Sequence, residues 1–196
     1  MALRSSVIKA QLSIADMDRH QYQDHHLTLA QHPSETDQRL MVRLLAFVLN
    51  ATEALHFTSN LSDEGEPELS EKNLQGELVH WIAFGQPDPK WLRKACQRAQ
   101  KVTLYAYGGR AVPLWLQQNS KELKRFDNLT LFEVPEPSVT ALAGFYATSM
   151  KLQWSINEQQ IWVTDGQSSE LIEVQPLDPV RDKPRPSGRG RIARTA

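Results

Sequence analysis

The stretch Leu78-Val79-His80-Trp81-Ile82-Ala83-Phe84, followed by Gly85-Gln86-Pro87-Asp88-Pro89, decides how this chain is read. Seven residues are apolar on both faces, too short for a buried helix, and they end at Gly and Pro. That is the pattern of a strand covered on both sides, as in the middle of an α/β sheet. Asp88 then caps a helix and Pro89 takes its first position. Its apolar stripe is Trp91, Ala95 and Ala99. Further on, 102–107 predicts a strand, 110–118 a helix, 129–134 a strand and 139–148 a helix. Strand, helix, strand, helix, strand favours parallel pairs flanked by helices.

The ends of the chain read differently. Ile8, Ala10, Leu12 and Ile14 alternate with Lys9, Gln11 and Ser13, which predicts a half-buried strand. Residues 22–30 supply a partner strand, so the N-terminus is expected to be a hairpin. Residues 151–156 and 161–164 predict a second hairpin, with Trp154 and Trp162 packing across it. Between these lies the clearest helix, 34–55, with Ser34 as cap and Asp37 answering it, and a short strand at 54–59. Leu61–Asn73 reads as acidic and irregular. The fold class expected is α/β: one mixed β-sheet flanked by helices, with extra hairpins at both ends.

Composition narrows the class. With 40% hydrophobic and 23% charged residues over 196, the chain reads as one globular domain. The net charge of −1 supplies no global attraction to nucleic acid or membrane. Cys96 is the only cysteine, so an intrachain disulfide is excluded and a reducing compartment fits. No apolar leader and no run near ~20 apolar residues is visible, so a cytoplasmic location is expected. The domain is expected to end near residue 177. Residues 178–196 carry Arg181, Lys183, Arg185, Arg189, Arg191 and Arg194 against Asp178 and Asp182. This Arg/Pro/Gly-rich tail has no periodic apolar face and reads as disordered.

Three clusters have chemistry to offer. Asp63, Glu64, Glu66 and Glu68 are carboxylates in one segment, able to hold Mg²⁺ or to form a solvated acidic loop. Lys90, Arg93, Lys94, Arg98 and Lys101 are spaced as a basic helix face, a phosphate-contact surface or a solvated one. His20, His25, His26 and His32 lack zinc spacing, and adjacent His25 and His26 point to opposite faces of a strand. Cys96 reads as a small core residue. Tyr105 and Tyr107 read as packing before base stacking, and Tyr107-Gly108-Gly109-Arg110 as a tight turn. No phosphate-loop, Rossmann or nucleophile-elbow pattern is present.

The ordered set His32-Pro33-Ser34-Glu35-Thr36…Arg39, Glu66-Pro67-Glu68, Trp81-Ile82-x-x-Gly85-Gln86-Pro87-Asp88 and Arg93-Lys94-Ala95-Cys96 resembles the YaeQ family. The match extends to about residue 175. The resemblance implies the restriction-endonuclease-like, PD-(D/E)XK fold, with Mg²⁺ or Mn²⁺ as cofactor in any active member. By position, Glu35 is the helix acid with Arg39 one turn on, Glu66 and Glu68 are the loop acids, and Lys94 is the basic group. Metal would then sit on Glu35, Glu66 and Glu68, with Lys94, Glu66 and Glu68 catalytic. Where the family commonly has an acid after Trp-Ile, this chain has Ala83. Glu77 shares that strand parity but lies six residues, roughly 20 Å, away. The expectation is therefore a non-cleaving interaction protein on a nuclease-like scaffold. It would bind nucleic acid or a transcription-related protein through Arg39, Lys90, Arg93, Lys94, Arg98, Lys101 and Arg110, together with the basic tail, which is either a phosphate-binding arm or a solvating extension. A Mg²⁺-dependent nuclease is the alternative.

Overall fold

The computed structural model describes residues 5–58 and 65–179. Asp63, Glu64 and almost all of the basic tail lie outside them. The elements run β1 (Ser6–Asp16), β2 (Gln21–Gln31), α1 (Asp37–Asn50), β3 (Leu55–Phe57), β4 (Leu69–Lys72) and β5 (Leu78–Phe84). There follow α2 (Pro89–Arg98), β6 (Ala99–Ala106), α3 (Ala111–Leu123), β7 (Leu129–Glu133) and α4 (Glu136–Ala143). The chain closes with β8 (Ser149–Asn157), β9 (Gln160–Thr164), β10 (Ser169–Ile172) and β11 (Gln175–Leu177).

The buried stretch 78–84 is a central strand, as its composition predicts. It pairs in parallel with β6, which pairs in parallel with β7. The single sheet is a correction: the described residues form two. The terminal hairpins do not extend the central sheet. Instead β1 pairs in parallel with β8, from Lys9↔Ser149 to Asp16↔Ile156. A five-stranded sheet results, in the order β10-β9-β8-β1-β2, beside a six-stranded one, β11-β7-β6-β5-β4-β3. Local periodicity carries no information on a pairing that spans some 140 residues of sequence. The turn of the β8–β9 hairpin uses left-handed Glu158 and Gln159. Asp18, in the β1–β2 loop, accepts from both of their N–H groups at 2.8 and 2.9 Å. One carboxylate thus ties the two hairpins together.

Between the sheets lies α1. Every residue from Leu40 to Val48 is buried, so this helix is covered on all sides rather than along one stripe. It shares one core with the inner face of the five-stranded sheet, with α4, and with Leu69, Ile82 and Tyr105 of the other sheet. A second core, with Trp81, Ala83, Leu92, Ala95, Val102 and Trp115, joins the opposite face of the six-stranded sheet to α2 and α3. The layers are sheet, helix, sheet, helix.

Several boundaries differ from expectation. The helix expected from Ser34 begins at Asp37, because Thr36 Oγ1 accepts from Arg39 N at 3.2 Å and caps it. Ser34 is engaged with His32 Nδ1 at 2.6 Å instead. The segment read as irregular contains β4, paired antiparallel to β5. Strands β10 and β11 are too short for alternation to reveal. Trp154 and Trp162 do not pack across the hairpin. Trp154 pairs with Val163, one register step away, so the two indoles lie on opposite faces. The tight turn expected at Gly108-Gly109 is present, and both glycines take positive φ, 121° and 56°, which L side chains rarely adopt.

Candidate functional site

Two clusters gather the charged residues singled out above, and they lie on opposite faces of the six-stranded sheet. The first is at the start of α1. Glu35, one residue before the cap, is buried, as is Arg43 two turns on. Arg43 Nη1 donates to both Glu35 oxygens at 2.9 Å. Arg39 Nη1 donates to Glu35 Oε1 at 2.7 Å, and its other amino group donates to Glu68 Oε1. Arg43 Nε and Glu68 Oε2 lie 3.3 Å apart, an ion pair out of line for a hydrogen bond. Two carboxylates are thus balanced by two guanidiniums. Burial works against the Arg39 charge, but Glu68 and then Glu35 more than offset it and raise its pKa. Phe57 lies under the Arg43 guanidinium at 5.4 Å.

Glu68 leads into β4, antiparallel to β5, and so sits beside the C-terminal end of that strand. Tyr107 follows the C-terminal end of β6. Its phenol is raised mainly by burial, with smaller opposing effects from Arg39, Glu35, Glu68 and Arg43. The carboxyl ends of parallel strands are where α/β sheets hold ligands, and this end is filled by a closed ion cluster. Gln31, at the end of β2, braces it. Its amide donates to Glu35 O at 3.2 Å and Asp37 Oδ1 at 3.1 Å, and its oxygen accepts from Tyr146 at 2.6 Å.

The second cluster is on α2. Arg98 donates to Glu66 at 2.6 Å and to the carbonyl of Gly65, and its guanidinium lies 5.2 Å from the Trp81 ring. Trp81 meets Trp91 edge to face at 5.5 Å. With Lys94, Gln97 and Gly65 they line a pocket of about 320 Å³. Lys90 and Lys94 are exposed on the helix, and no carboxylate among the described residues pairs with either. Arg93 is engaged by Glu122 of α3. The indole N–H of Trp81 is buried without a hydrogen-bond partner.

The three acids expected to meet around a metal are therefore divided. Glu35 and Glu68 share Arg39 and Arg43, while Glu66 faces Arg98. Among the described residues no three His, Cys, Asp or Glu groups are placed to hold a metal ion. The donor set does not fit a divalent cation, because both Glu35 oxygens and one of Glu68 already accept from guanidinium. Ala83 is buried on the α2 side, so a carboxylate there would not face Glu35. Lys94 lines the α2 pocket rather than the Glu35–Glu68 cluster. Lys101 leaves the expected basic stripe, because α2 ends at Arg98 and Lys101 belongs to β6, opposite His80. Arg110 is exposed at the start of α3.

Of the residues that sequence reasoning missed, Arg43 matters most. A cation inside the apolar run Leu40–Val48, one turn beyond Arg39, was the signal available for it. Of the histidines, His25 meets Phe47 edge to face and His80 is buried against Thr103 Oγ1 at 2.8 Å, while His20, His26 and His32 are exposed. Cys96 is half-buried, and burial pushes its thiol up to about 11.

A family model described as YaeQ protein matches residues 1–174. The chain belongs to the YaeQ family. It is 39% identical over 175 residues to the YaeQ protein of Salmonella typhi, covering 89% of this chain and 96% of that one. The relative from Escherichia coli K12 is 38% identical over 174 residues, covering 89% and 96%. Two crystal structures of YaeQ proteins match the fold with a TM-score of 0.84 each. The one from Xanthomonas axonopodis pv. citri is 38% identical and covers 88% of this chain and 97% of its own. The one from Pseudomonas syringae is 34% identical, covering 89% and 96%. Among the described residues this chain has a mixed α/β architecture of two sheets and four helices, and both crystal structures match it. Membership of the YaeQ family brings a fold; a reaction has to be argued from the side chains. No helix among the described residues is long and apolar enough to cross a membrane.

Proposed function

We propose that this YaeQ chain binds nucleic acid without cutting it, taking a single strand on α2 of a nuclease-related scaffold. The carrying observation is the α2 pocket, where half-buried Trp91, set edge to face at 5.5 Å on buried Trp81, stands beside Lys94 and Arg98. Aromatic faces next to cations that track phosphates are the recurring solution for single strands, because every base has a π-face and every linkage a charge. A duplex keeps its bases stacked inside and offers only phosphates to such a pocket. Lys90 lies one turn before Lys94 and extends the basic edge along the helix.

The test is fluorescence anisotropy of a labelled single-stranded oligonucleotide, titrated at several salt concentrations. Trp91→Ala should cost about 1–3 kcal/mol if a base stacks there. Lys94→Ala should lower the salt slope by about 0.7, the value for one phosphate contact to a single strand. Equal affinity for duplex and single strand, or binding indifferent to both substitutions, would remove the proposal.

The competing reading is a Mg²⁺- or Mn²⁺-dependent phosphodiesterase. One observation speaks for it: Glu35 and Glu68 do converge at the carboxyl ends of the parallel strands. Their saturation by Arg39 and Arg43 speaks against it more strongly. Incubation of the same oligonucleotide, and of duplex DNA and RNA, with either metal should leave them intact. Cleavage abolished by Glu68→Ala would restore the enzyme.

A further inference from the structure

The outer face of the five-stranded sheet is unlike an ordinary solvated face. Four of the five residues in one cross-strand row are large or small apolar groups. In register they are Leu171 (β10), Trp162 (β9), Ser155 (β8), Ala15 (β1) and Tyr22 (β2). Leu171, Trp162 and Tyr22 are 40%, 42% and 69% exposed. Val7, on the same face, and Met17, at its end, are exposed as well. Trp162 and Tyr22 stand three strand spacings apart, about 14 Å. Between them lies a trough of about 440 Å³, floored by Ser13, Ala15, Gln153 and Ser155. Its lining holds one carboxylate, Asp24, and no cation. Two aromatic walls over a shallow floor with an acid suit an extended proline-rich chain bearing arginines. The polyproline II conformation is preformed and docks between aromatic rings at low entropic cost. Guanidiniums stack on indole and phenol faces.

We propose that this trough is the seat of the chain's own Arg/Pro-rich C-terminal segment, residues 180–196. Its composition fits: Pro184-Arg185-Pro186 lies within it, and residues 178–196 carry a net +4 against −5 for the rest of the chain. Its reach fits as well. Leu171 is the cross-strand partner of Trp162; the chain then joins β7 of the other sheet as β11, so the tail leaves from the edge of the six-stranded sheet, at most about 30 Å of chain beyond Leu171. The seventeen residues 180–196 then span up to roughly 55 Å extended, enough to turn back to a trough whose near wall is the strand next to β10. A tethered ligand also acts at an effective concentration in the millimolar range, so a weak intrinsic fit suffices. The tail thus covers the exposed aromatic face, and the trough is its own chain's receptor. This is independent of the α2 interface.

The body can be tested without the tail, because the family model matches residues 1–174 and the last described element ends at Leu177. A fluorescent peptide of residues 178–196 is titrated against the body ending at Leu177 and against the full chain. The peptide should bind the body and bind the full chain roughly tenfold or more weakly, because the tethered tail competes. Trp162→Ala and Tyr22→Ala in the body should each weaken the peptide roughly fivefold, and Trp162→Phe should retain most of the affinity. Equal affinity for body and full chain would overturn the proposal. So would a peptide affinity that follows salt alone and ignores Trp162 and Tyr22. Sedimentation supplies the third outcome: a dimer of the body dissociated by Trp162→Ala, with no peptide binding, would hand the face to a second copy.

Discussion

The two charged clusters contain the same chemistry, carboxylates against arginines, and differ in how much water reaches them. At α1 the Glu35 and Arg43 side chains are 3% and 1% exposed. At α2 the Glu66 and Arg98 side chains are 40% and 43% exposed. A buried ion pair is costly to form and far more costly to break, because removing one partner strands the other charge without water. An exposed pair is screened and contributes little to stability. The first cluster is therefore a fixture of the fold, and the second is an interaction that a ligand can displace. The comparison also separates them as sites. The α1 cluster fills the carboxyl ends of the parallel strands with satisfied charge, while the α2 cluster borders a pocket that offers half-buried Trp91 and a lysine.

The most severe way to break this contrast is Arg43→Ala. It leaves Glu35 buried with one guanidinium instead of two and should cost about 3–5 kcal/mol in urea denaturation. Replacing both members with apolar groups, Glu35→Leu with Arg43→Met, leaves Arg39 and Glu68 balanced and should recover most of the loss. A loss under 1 kcal/mol for Arg43→Ala would mean that the cluster is hydrated and no different from its exposed counterpart.

How far this arrangement could be read in advance depends on the range of the interaction. Strand β5 and the alternation around it were legible because apolar content and Asp-Pro caps act over a few residues. Glu35 and Arg39 were legible as one turn of a helix. The partner that decides what Glu35 does, Arg43, looks like an interruption in an apolar stripe until the second sheet is laid over α1. That second sheet depends on β1 meeting β8, a contact between the two ends of the chain with no local signature. Glu66 and Glu68, two residues apart, read as one acidic segment, yet one joins Arg98 and the other joins Arg39 and Arg43. Alternation along a chain says which sides two residues face; it does not say which helix waits there.

A smaller effect tests the buried side by pH. His80 on β5 is buried against Thr103, and burial, helped by Lys101, lowers its pKa from the usual 6.5 to about 4. In the unfolded chain the imidazole gains its proton near 6.5. Between the two values the unfolded state binds more protons than the native one, so acid destabilises the fold. The contribution is fully present above about 6.5 and is lost as pH falls toward 4. At 1.36 kcal/mol per unit the loss is at most about 3 kcal/mol. Denaturation of the wild type and of His80→Gln should diverge across this window and run parallel above it. Parallel curves throughout would show that water reaches His80.

The smallest effect on the fold is the most telling for function. Glu66→Ala removes the carboxylate that holds Arg98 over Trp81 beside the pocket. Because the pair is exposed, stability should change by no more than about 0.5 kcal/mol. Binding of a single strand should move the other way. A guanidinium released from Glu66 is available to phosphate, so affinity should rise about two- to fivefold, the worth of one exposed pair. The salt slope should steepen by about 0.7. Glu68→Ala changes the matching position in the other cluster, where the arginines it would release are held by Glu35 behind the sheet. It should destabilise the fold without improving binding. If Glu66→Ala weakens the single-stranded ligand instead, then Glu66 serves to position Arg98, and the α2 pocket is as pre-set as the cluster on α1.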